Sequence, residues 1–329
     1  MARHLKIIGI SCSLLLTISI AVAFGGWHWL QTQWDTPAVT TESILEIPRG
    51  TSVRDIGRQL QTLDIAPYHW LYPVLVRLEN LPPKSGEYLL TPDASLRDIA
   101  NILHRGVSVL HAITIPEGSN WKQIRTIINE NTLLDMALFE KLLAEFIAAQ
   151  PALDTFEGAV YPETYLFAKV NGEQELMRQI QAKTTAMLAQ FPTPEAAREG
   201  LILASIIEKE AGNREEMPLI ASVFYNRIKR GMRLQSDPTV IYGMFDSYDG
   251  TLLRGHLQTD TPHNTYTRNG LPPTPICSPS AAAINAVLLP AQTNYIFFVA
   301  DGRGGHAFSA TLQEHNRYVQ QYRALMRNR

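Results

Sequence analysis

The sequence predicts an α+β chain in which an N-terminal transmembrane helix precedes a small α/β subdomain and a mainly helical domain with some strands and long loops. A long apolar run lies at the N-terminus, and a short strand–turn–helix pattern then recurs along the chain. Further on, apolar residues repeat with the period of an α-helix. The chain has 329 residues, of which 45% are hydrophobic, and this suffices for two or more domains with cores of their own.

The apolar run at residues 7–30 predicts the transmembrane anchor. It contains no Asp, Glu, Lys or Arg, and it is long enough to cross a bilayer as a helix. Trp27 and Trp29, near its end, are typical of the membrane–water interface. Residues 1–6 are therefore predicted to be a cytoplasmic tail.

The charges around the apolar run predict its orientation. The basic residues before it are Arg3, His4 and Lys6, and the acidic residues Asp35 and Glu42 follow it. Because positive flanks stay in the cytoplasm, we expect a single-pass protein of the cell inner (cytoplasmic) membrane, with the rest of the chain in the periplasm or outside the cell. A signal peptide cleaved after the small residues 21–23 is the alternative. The apolar run continues past that site, which favours an uncleaved anchor.

Residues 44–112 are predicted to form the small α/β subdomain, after a polar linker at 31–43. Segments 47–56 and 90–99 share one pattern, in which a strand end and a turn lead to a Ser or Thr N-cap and an amphipathic helix. Residues 115–124 repeat the pattern. Units of this kind resemble LysM modules, which bind aminosugar chains. The alternative is a recurrent packing unit without that function.

Residues 113–329 are predicted to form the mainly helical domain. Apolar spacing and flanking breaker residues predict helices at 134–149, 173–190, 201–210, 215–229, 280–288 and 311–326. A strand is expected at 295–300, followed by a tight glycine turn at 301–305. The stretch 236–279 is rich in proline and turn residues and predicts a long loop with little regular structure, of a length that is usually functional.

Composition excludes several kinds of site. The net charge is −2 and the sequence has no sustained basic block, which argues against nucleic acid as a partner. The two cysteines, Cys12 and Cys277, are too few for a cysteine metal site, and zinc-binding spacings are absent. Cys12 lies in the apolar run, so a disulfide between the two is not expected. We expect neither a metal nor a cofactor.

Glu210 is the candidate catalytic residue. At about 100° per residue, one apolar stripe of a helix is formed by Ile202, Leu203, Ile206 and Ile207. Glu210 falls near the middle of that stripe. A carboxylate against an apolar surface loses hydration, so its pKa rises and it can serve as a general acid near neutral pH. The alternative is that the helix ends here with Gly212 as its C-cap, and that Glu210 bends into water.

Blocks of sequence around Glu210 resemble one family. Glu208-Lys209-Glu210 ends the block 204–210, and Asn264-Thr265-Tyr266 is a later block. Other blocks lie, in chain order, at 157–158, 161–165, 221–227, 231–243, 270–276, 298–302 and 305–306. These residues and their order are similar to the endolytic murein (peptidoglycan) transglycosylases of the YceG-like family, which cut bacterial cell-wall glycan strands. The resemblance covers nearly the whole chain, including the membrane anchor and the LysM-like subdomain.

The resemblance implies a lytic transglycosylase, a carbon–oxygen lyase that breaks the MurNAc–GlcNAc β-1,4 bond without water and leaves a 1,6-anhydro-MurNAc end. One carboxyl group is enough for this reaction, whereas typical glycosidases use two. The family's catalytic acid matches Glu210. Glu208, the second candidate for the acid, points almost the opposite way, and we expect it to be a solvated residue on the helix face. The implied partners are nascent peptidoglycan strands, the membrane and peptidoglycan synthases, with cleavage terminating strand elongation.

Four further residues are candidates for substrate binding. Gln235 and Asn264 could bind sugar hydroxyl or N-acetyl groups. Tyr266 could stack on a sugar ring or bond to Glu210, and Glu163 could line the cleft. The alternative for each is a role in loop architecture, which Asn and similar residues often have. His306, beyond the glycine turn, is expected to be structural.

Two other functions remain open from the sequence. A muramidase-type hydrolase would use Glu210 as the acid and Asp237 as the base that activates water. A turn before Pro238 is the simpler role for Asp237. A non-catalytic glycan-binding scaffold would rely on the LysM-like subdomain alone.

Overall fold

The structure, a computed structural model, describes residues 2–245 and 247–327, with side chains from residue 13 onward. The side chains of Arg3, His4, Lys6 and Cys12 therefore lie outside the described part. The chain divides into two compact units, which we call unit 1 (Met1–His111 with Ala168–Asn171) and unit 2 (Ala112–Phe167 with Gly172–Arg329). Helices predominate and the strands are short, which confirms the predicted α+β class.

Unit 1 packs its helices around one antiparallel strand pair. Its elements are α1 (Ala2–Asp35), β1 (Ser43–Ile47), α2 (Val53–Thr62), α3 (Leu71–Glu79), β2 (Gly86–Leu90) and α4 (Leu96–Arg105). The strands β1 and β2 pair with Ser43 opposite Leu90 and Ile47 opposite Gly86. The core of unit 1 includes the buried side chains of Leu45, Ile56, Leu60, Tyr72, Tyr88, Ile99 and Leu103. Alternation along β1 and the apolar stripes of α2 and α4 supply most of these residues.

The predicted polar linker at 31–43 is not a free segment. The helix α1 continues to Asp35, and Trp34 is fully buried in the core of unit 1. Beyond the helix, the backbone amide of Ala38 donates a hydrogen bond of 3.0 Å to the carbonyl of Ala94. The segment predicted as a polar linker therefore begins within α1 and contributes one large aromatic side chain to the core of unit 1.

The strand–turn–helix pattern is present in all three of its copies. Ser52 caps α2, and Ser95 caps α4 in a capping box with Asp98. The third copy, in unit 2, is capped by Asn120 and not by a Ser or Thr. The Asn120 side chain accepts a hydrogen bond from the Gln123 amide, and the Gln123 side chain accepts one from the Asn120 amide.

Unit 2 is mainly helical. Its helices are α5 (Trp121–Glu130), α6 (Met136–Ala148), α7 (Gly172–Leu188), α8 (Pro194–Glu210), α9 (Met217–Lys229), α10 (Asp237–Gly243), α11 (Arg254–Gln258), α12 (Ala281–Leu288) and α13 (Leu312–Arg327), with a 3-10 turn at Arg214–Glu216. Its strands form two pairs, β3 (His111–Thr114) with β4 (Thr164–Phe167) and β5 (Phe297–Ala300) with β6 (His306–Ser309). The helices predicted for this part are confirmed, although the short helices α10 and α11 lie in a stretch predicted to be a loop.

The helix α8 is the centre of unit 2 and leads to the candidate site. It begins at Pro194 after the N-cap Thr193, seven residues before the predicted start at 201. The polar first turns of α8 concealed this start from the apolar pattern. Gly200 lies within it because a Cβ atom there would approach the ring of Phe191 to within about 2.2 Å. From Leu201 to Ile207 every residue is buried, so the helix ends at Glu210 directly after its buried segment.

Candidate active site

Glu210 is the last residue of α8 and follows the buried residues Ile206 and Ile207 by one turn. Its side chain is partly exposed. The C-cap of α8 is Ala211, in an extended conformation, and not Gly212. A Cβ atom at Gly212 would come within 2.7 Å of the carbonyl oxygen of Gly304, so this glycine permits a close backbone approach. The chain therefore leaves the helix without turning Glu210 away from the protein.

Ser236 makes the direct contact to the Glu210 carboxyl. Its hydroxyl donates a hydrogen bond to Oε1 of Glu210 at 2.5 Å, and Ser236 itself is buried. Ser236 occupies the N-cap position of α10, where a serine usually bonds to the helix backbone, but no such capping bond is present. The Ser236 hydroxyl bonds to Glu210 instead of capping α10.

The surroundings of Glu210 favour its protonated form. Loss of hydration raises the pKa of the Glu210 carboxyl from 4.5 to about 7, although the hydrogen bond from Ser236 acts against this. The negative charge of Asp237 raises the pKa further, while His306 and Arg227 lower it. Burial is the largest of these effects. Burial therefore favours the protonated form of Glu210 up to near neutral pH.

A buried hydrogen-bond network fixes the segment that carries Ser236. The amide of Ser236 donates to Thr265 Oγ1 at 3.0 Å, and Thr239 Oγ1 donates to the carbonyl of Ser236 at 2.7 Å. On the other side, buried Arg227 donates from Nη1 to the carbonyl of Leu234 at 2.6 Å and from Nε to that of Ile296 at 2.7 Å. A network satisfied in this way holds the serine in one position.

Gln235 lies beside Ser236 in a strained and exposed position. Its φ of 52° is in the left-handed region, which costs a residue other than glycine on the order of 1 kcal/mol. Its amide bonds to the carbonyl of Thr265 at 3.2 Å, and its side chain has no hydrogen bond to any described residue. Gln235 is therefore available to a ligand next to Glu210.

Asp237 and Tyr266 form a pair near Glu210. The Tyr266 hydroxyl donates to Oδ1 of Asp237 at 2.6 Å, and not to Glu210. Burial, together with this bond, raises the pKa of the Tyr266 hydroxyl. Asp237 directly follows Ser236, whose hydroxyl bonds to Glu210, and Tyr266 directly follows Thr265, which accepts from the Ser236 amide. The two residues thus lie at the site.

Asn264 is fully buried, and its side chain supports the loop that carries Tyr266. Its Nδ2 donates to the carbonyls of Leu257 at 3.2 Å and Thr259 at 2.7 Å, and its Oδ1 accepts from the Tyr266 amide at 2.8 Å. These contacts occupy both ends of the amide and favour the loop-architecture alternative.

Within the described residues, Glu163 bonds to Lys183 and Thr164 and not to Ser236, the residue that bonds to Glu210. Its Oε2 accepts from Lys183 Nζ at 3.1 Å, and its Oε1 accepts from the amide of Thr164 at 3.2 Å. The hydrogen bond from Lys183 is the largest influence and lowers the pKa of the Glu163 carboxyl. Glu163 is therefore an ionised carboxylate at the start of β4.

Glu208, the neighbouring glutamate, is not solvated as the sequence led us to expect. Its Oε2 accepts hydrogen bonds from the amide of Ser280 at 3.0 Å and from the Ser280 hydroxyl at 2.6 Å. Ser280 is the N-cap of α12, so Glu208 joins the end of α8 to the start of another helix. The donors to this carboxylate lie 72 residues further on in the sequence, which is why helical periodicity did not reveal them.

His306 is held by Glu216, a residue that the sequence did not single out. The ring Nδ1 of His306 lies 2.9 Å from Oε2 of Glu216, and the His306 amide donates to Oε1 at 2.8 Å. The ring also packs edge-on against Phe298, with centroids 5.3 Å apart. These contacts agree with the structural role expected for His306, and its effect on the pKa of Glu210 adds an electrostatic one.

Glu157 is a second glutamate of unit 2 with a raised pKa. Burial raises the pKa of its carboxyl, against the hydrogen bonds that it accepts from the Trp121 amide and the Tyr242 hydroxyl. Both oxygens receive the Trp121 amide at 3.0 Å, and Tyr242 donates to Oε1 at 2.9 Å. Glu157 therefore caps the start of α5 and has no oxygen left without a partner. Its position in an aromatic-rich irregular segment was the available sequence signal.

Other features of unit 2 lie apart from this carboxyl. A groove of about 750 Å³ runs along the earlier part of α8, lined among others by Glu199, Leu203 and Tyr225. Neither Glu210 nor Ser236 lines it. Across the described residues, no three His, Cys, Asp or Glu side chains group as a metal site requires.

Comparison with known proteins gives a consistent result. Residues 45–321 match the model of the YceG-like family. The chain is 30% identical to the endolytic murein transglycosylase of Bacillus subtilis (strain 168) over 303 residues, which covers 84% of each chain. It is 27% identical to the endolytic murein transglycosylase of Streptococcus pneumoniae serotype 2 (strain D39), over 97% of this chain and 66% of that protein. The crystal structure of a YceG-like protein from Listeria monocytogenes matches with a TM-score of 0.55 and 31% identity, over 85% of this chain and 99% of that one.

Proposed function

Because the chain belongs to the YceG-like family, we propose that it is a membrane-anchored lytic transglycosylase that cuts peptidoglycan glycan strands within their length. The proposed target is the MurNAc–GlcNAc β-1,4 bond, and the proposed product carries a 1,6-anhydro-MurNAc end. The observation that carries the proposal is the state of Glu210. A single carboxyl with a pKa of about 7, at the end of a buried helix, suits a residue that acts first as an acid and then as a base.

In the proposed reaction Glu210 transfers one proton. The protonated carboxyl donates it to O4 of the leaving GlcNAc as the C1–O4 bond breaks. The carboxylate then accepts the proton of the MurNAc C6 hydroxyl while O6 attacks C1. One carbon–oxygen bond is lost and one is formed, and no water is consumed.

The hydrogen bond from Ser236 suggests which carboxyl oxygen reacts. Oε1 accepts the Ser236 hydroxyl, whereas Oε2 has no hydrogen bond to any residue that the structure describes. We therefore assign the proton to Oε2 and treat Ser236 as the residue that orients the carboxyl. A fixed orientation lowers the entropic cost of reaching the transition state.

The proposed substrate contacts differ in how well their geometry supports them. Gln235, with a free side chain next to Ser236, is the strongest candidate for a bond to a sugar hydroxyl or N-acetyl group. Tyr266 presents a partly exposed ring beside the site for stacking on a sugar. A direct role for Asn264 or Glu163 is supported less, because their side chains are engaged in protein contacts.

The proposal includes the location and the partners of the enzyme. The stretch Ser13–Asp35 is long and apolar enough to cross a membrane and is consistent with a single-pass anchor. With the basic tail inside, unit 2 would lie outside the cytoplasmic membrane, in contact with newly made peptidoglycan. We propose that cleavage there terminates strand elongation beside the synthases.

The decisive experiment compares the products of the wild type with those of Glu210→Gln and Glu208→Gln. Purified full-length protein is incubated with sacculi, and released fragments are analysed by mass spectrometry. We expect anhydro-MurNAc ends, lighter than reducing ends by one water, from the wild type and from Glu208→Gln. Glu210→Gln should lower their release by a factor of about 10² to 10⁴, as expected when a proton donor is lost.

The same experiment separates the alternative functions. Reducing ends without anhydro ends would point to a hydrolase and to Asp237 as its base. Unchanged cleavage by Glu210→Gln would show that Glu210 is not the acid. Binding of sacculi by a wild-type protein that cleaves nothing would favour a glycan-binding scaffold.

A further inference from the structure

The end of α1 is built into the core of unit 1. At about 1.5 Å per residue, the 34 residues of α1 span about 51 Å, which exceeds the roughly 30 Å of a bilayer's hydrocarbon core. Its last turn is fixed by Trp34, whose Nε1 donates to the carbonyl of Leu71 at 3.3 Å. Arg97 on α4 adds an ion pair of 2.8 Å with Asp35. The end of α1 is therefore fixed to the rest of unit 1.

Three exposed aromatic residues, which we call the aromatic patch, lie where α1 meets the rest of unit 1. They are Trp29, Tyr68 and Trp70, with exposed fractions of 41%, 48% and 40%. The ring of Trp29 lies 6.2 Å from that of Tyr68 and 6.0 Å from that of Trp70, and Tyr68 stacks on Trp70 at 5.9 Å. The segment before α3 thus adds two rings to that of the helix.

The composition around the aromatic patch suits a lipid headgroup region. No Asp, Glu, Lys or Arg occurs in 13–34 or in 65–76, the two segments that supply the rings. Indole and phenol rings have an apolar body and a polar edge, so they are most stable between hydrocarbon and water. Exposure of so many rings to water alone would be unfavourable.

We propose that the aromatic patch is a membrane-contact surface, through which Tyr68 and Trp70 rest in the lipid headgroup layer beside Trp29. The proposal rests on the anchoring role of α1 given under the proposed function. A bilayer is the occupant that the structure favours, because the patch continues directly from the apolar helix. Unit 1 would then be held against the membrane surface on two sides, by its helix and by the loop before α3.

Spin labels on the full-length protein in vesicles test this proposal. Single cysteines are introduced by Ile20→Cys, Tyr68→Cys or Val107→Cys in a chain in which Cys12 and Cys277 are changed to Ala. The protein is reconstituted into phosphatidylethanolamine–phosphatidylglycerol vesicles, and the accessibility of each label to oxygen and to a water-soluble nickel complex is measured. Ile20 lies within the predicted span, and exposed Val107 lies in unit 1 beyond α4.

We expect the oxygen-to-nickel ratio at position 68 to lie between those at 20 and 107, and several-fold above that at 107. A ratio at 68 equal to that at 107, with a high ratio at 20, would overturn the membrane contact and leave the anchor intact. A low ratio at 20 as well would overturn the anchor itself. Spin–spin broadening at 68 with a ratio like that at 107 would point to a second copy of the chain and also contradict the proposal.

Quenching by brominated lipids provides a measurement with the patch unlabelled. Brominated lipids quench tryptophans that lie in the bilayer, so wild-type vesicles should lose more fluorescence than those containing Trp70→Phe. Equal quenched intensity in the two proteins would contradict the contact. Trp121→Phe is the matched control, because Trp121 belongs to unit 2, and it should leave the quenched intensity unchanged.

Discussion

Glu210 and Glu157 show why a raised pKa does not by itself identify a catalytic residue. Both carboxyls lose hydration, and in both the pKa rises. The oxygens of Glu157 accept hydrogen bonds from the first amide of α5 and from the Tyr242 hydroxyl. In Glu210 one oxygen accepts from Ser236, and the other has no partner among the described residues. The raised pKa together with the free oxygen makes Glu210 the candidate.

The pH dependence of cleavage should report the state of Glu210. Since the acid must be protonated, cleavage should decline as pH rises through about 7. Ser236→Ala removes a donor that stabilises the carboxylate, so the decline should move to higher pH and the rate should fall by up to about tenfold. Release of anhydro ends between pH 5 and 9 measures both effects. Ser222→Ala, which removes a hydroxyl bonded to Thr293 at 2.8 Å, should leave the midpoint unchanged.

Glu210→Gln should stabilise the protein at alkaline pH. The folded-state pKa of Glu210 lies above the unfolded value of 4.5, so the folded state binds more protons between 4.5 and about 7. Stability is therefore lost as pH rises across that window, by an amount on the order of 1–3 kcal/mol at pH 8. A glutamine side chain does not ionise, so the variant does not lose stability in this way. Urea unfolding at pH 4.5 and pH 8 measures it, and a gain that is equal at both values would contradict the explanation.

At the scale of the element, the two neighbouring glutamates at the end of α8 have different roles. Glu210 faces the loop that carries Ser236, while Glu208 caps the start of α12 through Ser280. Helical geometry separates the two side chains by roughly 200°, so one helix end contributes both a reactive group and a structural link. The buried segment Leu201–Ile207 keeps that end in place.

The link between α8 and α12 should be measurable as stability. Glu208→Ala leaves the Ser280 amide without its acceptor and should reduce the free energy of unfolding by about 1–2 kcal/mol. Glu208→Gln retains an acceptor oxygen and should lose less. The double variant with Ser280→Ala should lose less than the sum of the single losses, because both changes remove the same contact. Strict additivity in urea unfolding would mean that the pair does not interact.

At the scale of the whole molecule, two separate cores stabilise the chain, and the N-terminal helix belongs to one of them. Trp34, at the end of α1, is fully buried within unit 1, where its ring also lies under the guanidinium of Arg97 at 5.9 Å. The N-terminal helix is thus an integral part of a folded unit. The family match and the α+β class are both properties of the chain taken as a whole.

Trp34→Ala should destabilise unit 1 by about 3–5 kcal/mol, because it leaves a large cavity in the core. Thermal unfolding of the full-length protein in detergent, followed by circular dichroism, measures this loss. Trp27→Ala removes a half-exposed ring of the same kind and should have a much smaller effect. Similar losses for the two variants would show that Trp34 is not a core residue.

Local patterns in the sequence were sufficient for most elements of the fold. Each of these elements is encoded by residues that are only a few positions apart. Examples are the N-caps Ser52 and Ser95, the buried stripe that leads to Glu210, and the glycine turn before His306. Short elements were missed, among them α10, α11 and β6, because a few residues carry too little periodicity. The early start of α8 was missed because its first turns are polar.

The sequence by itself determined that Glu210 follows an apolar helical stripe, that a long apolar run begins the chain, and that the order of motifs matches one family. Only the tertiary structure decided what each polar group contacts. Ser236 reaches Glu210 across 26 residues, and Ser280 reaches Glu208 across 72. The physical reason is that periodicity determines the side of a helix on which a residue lies, whereas a hydrogen-bond partner is determined by the packing of distant segments against that side.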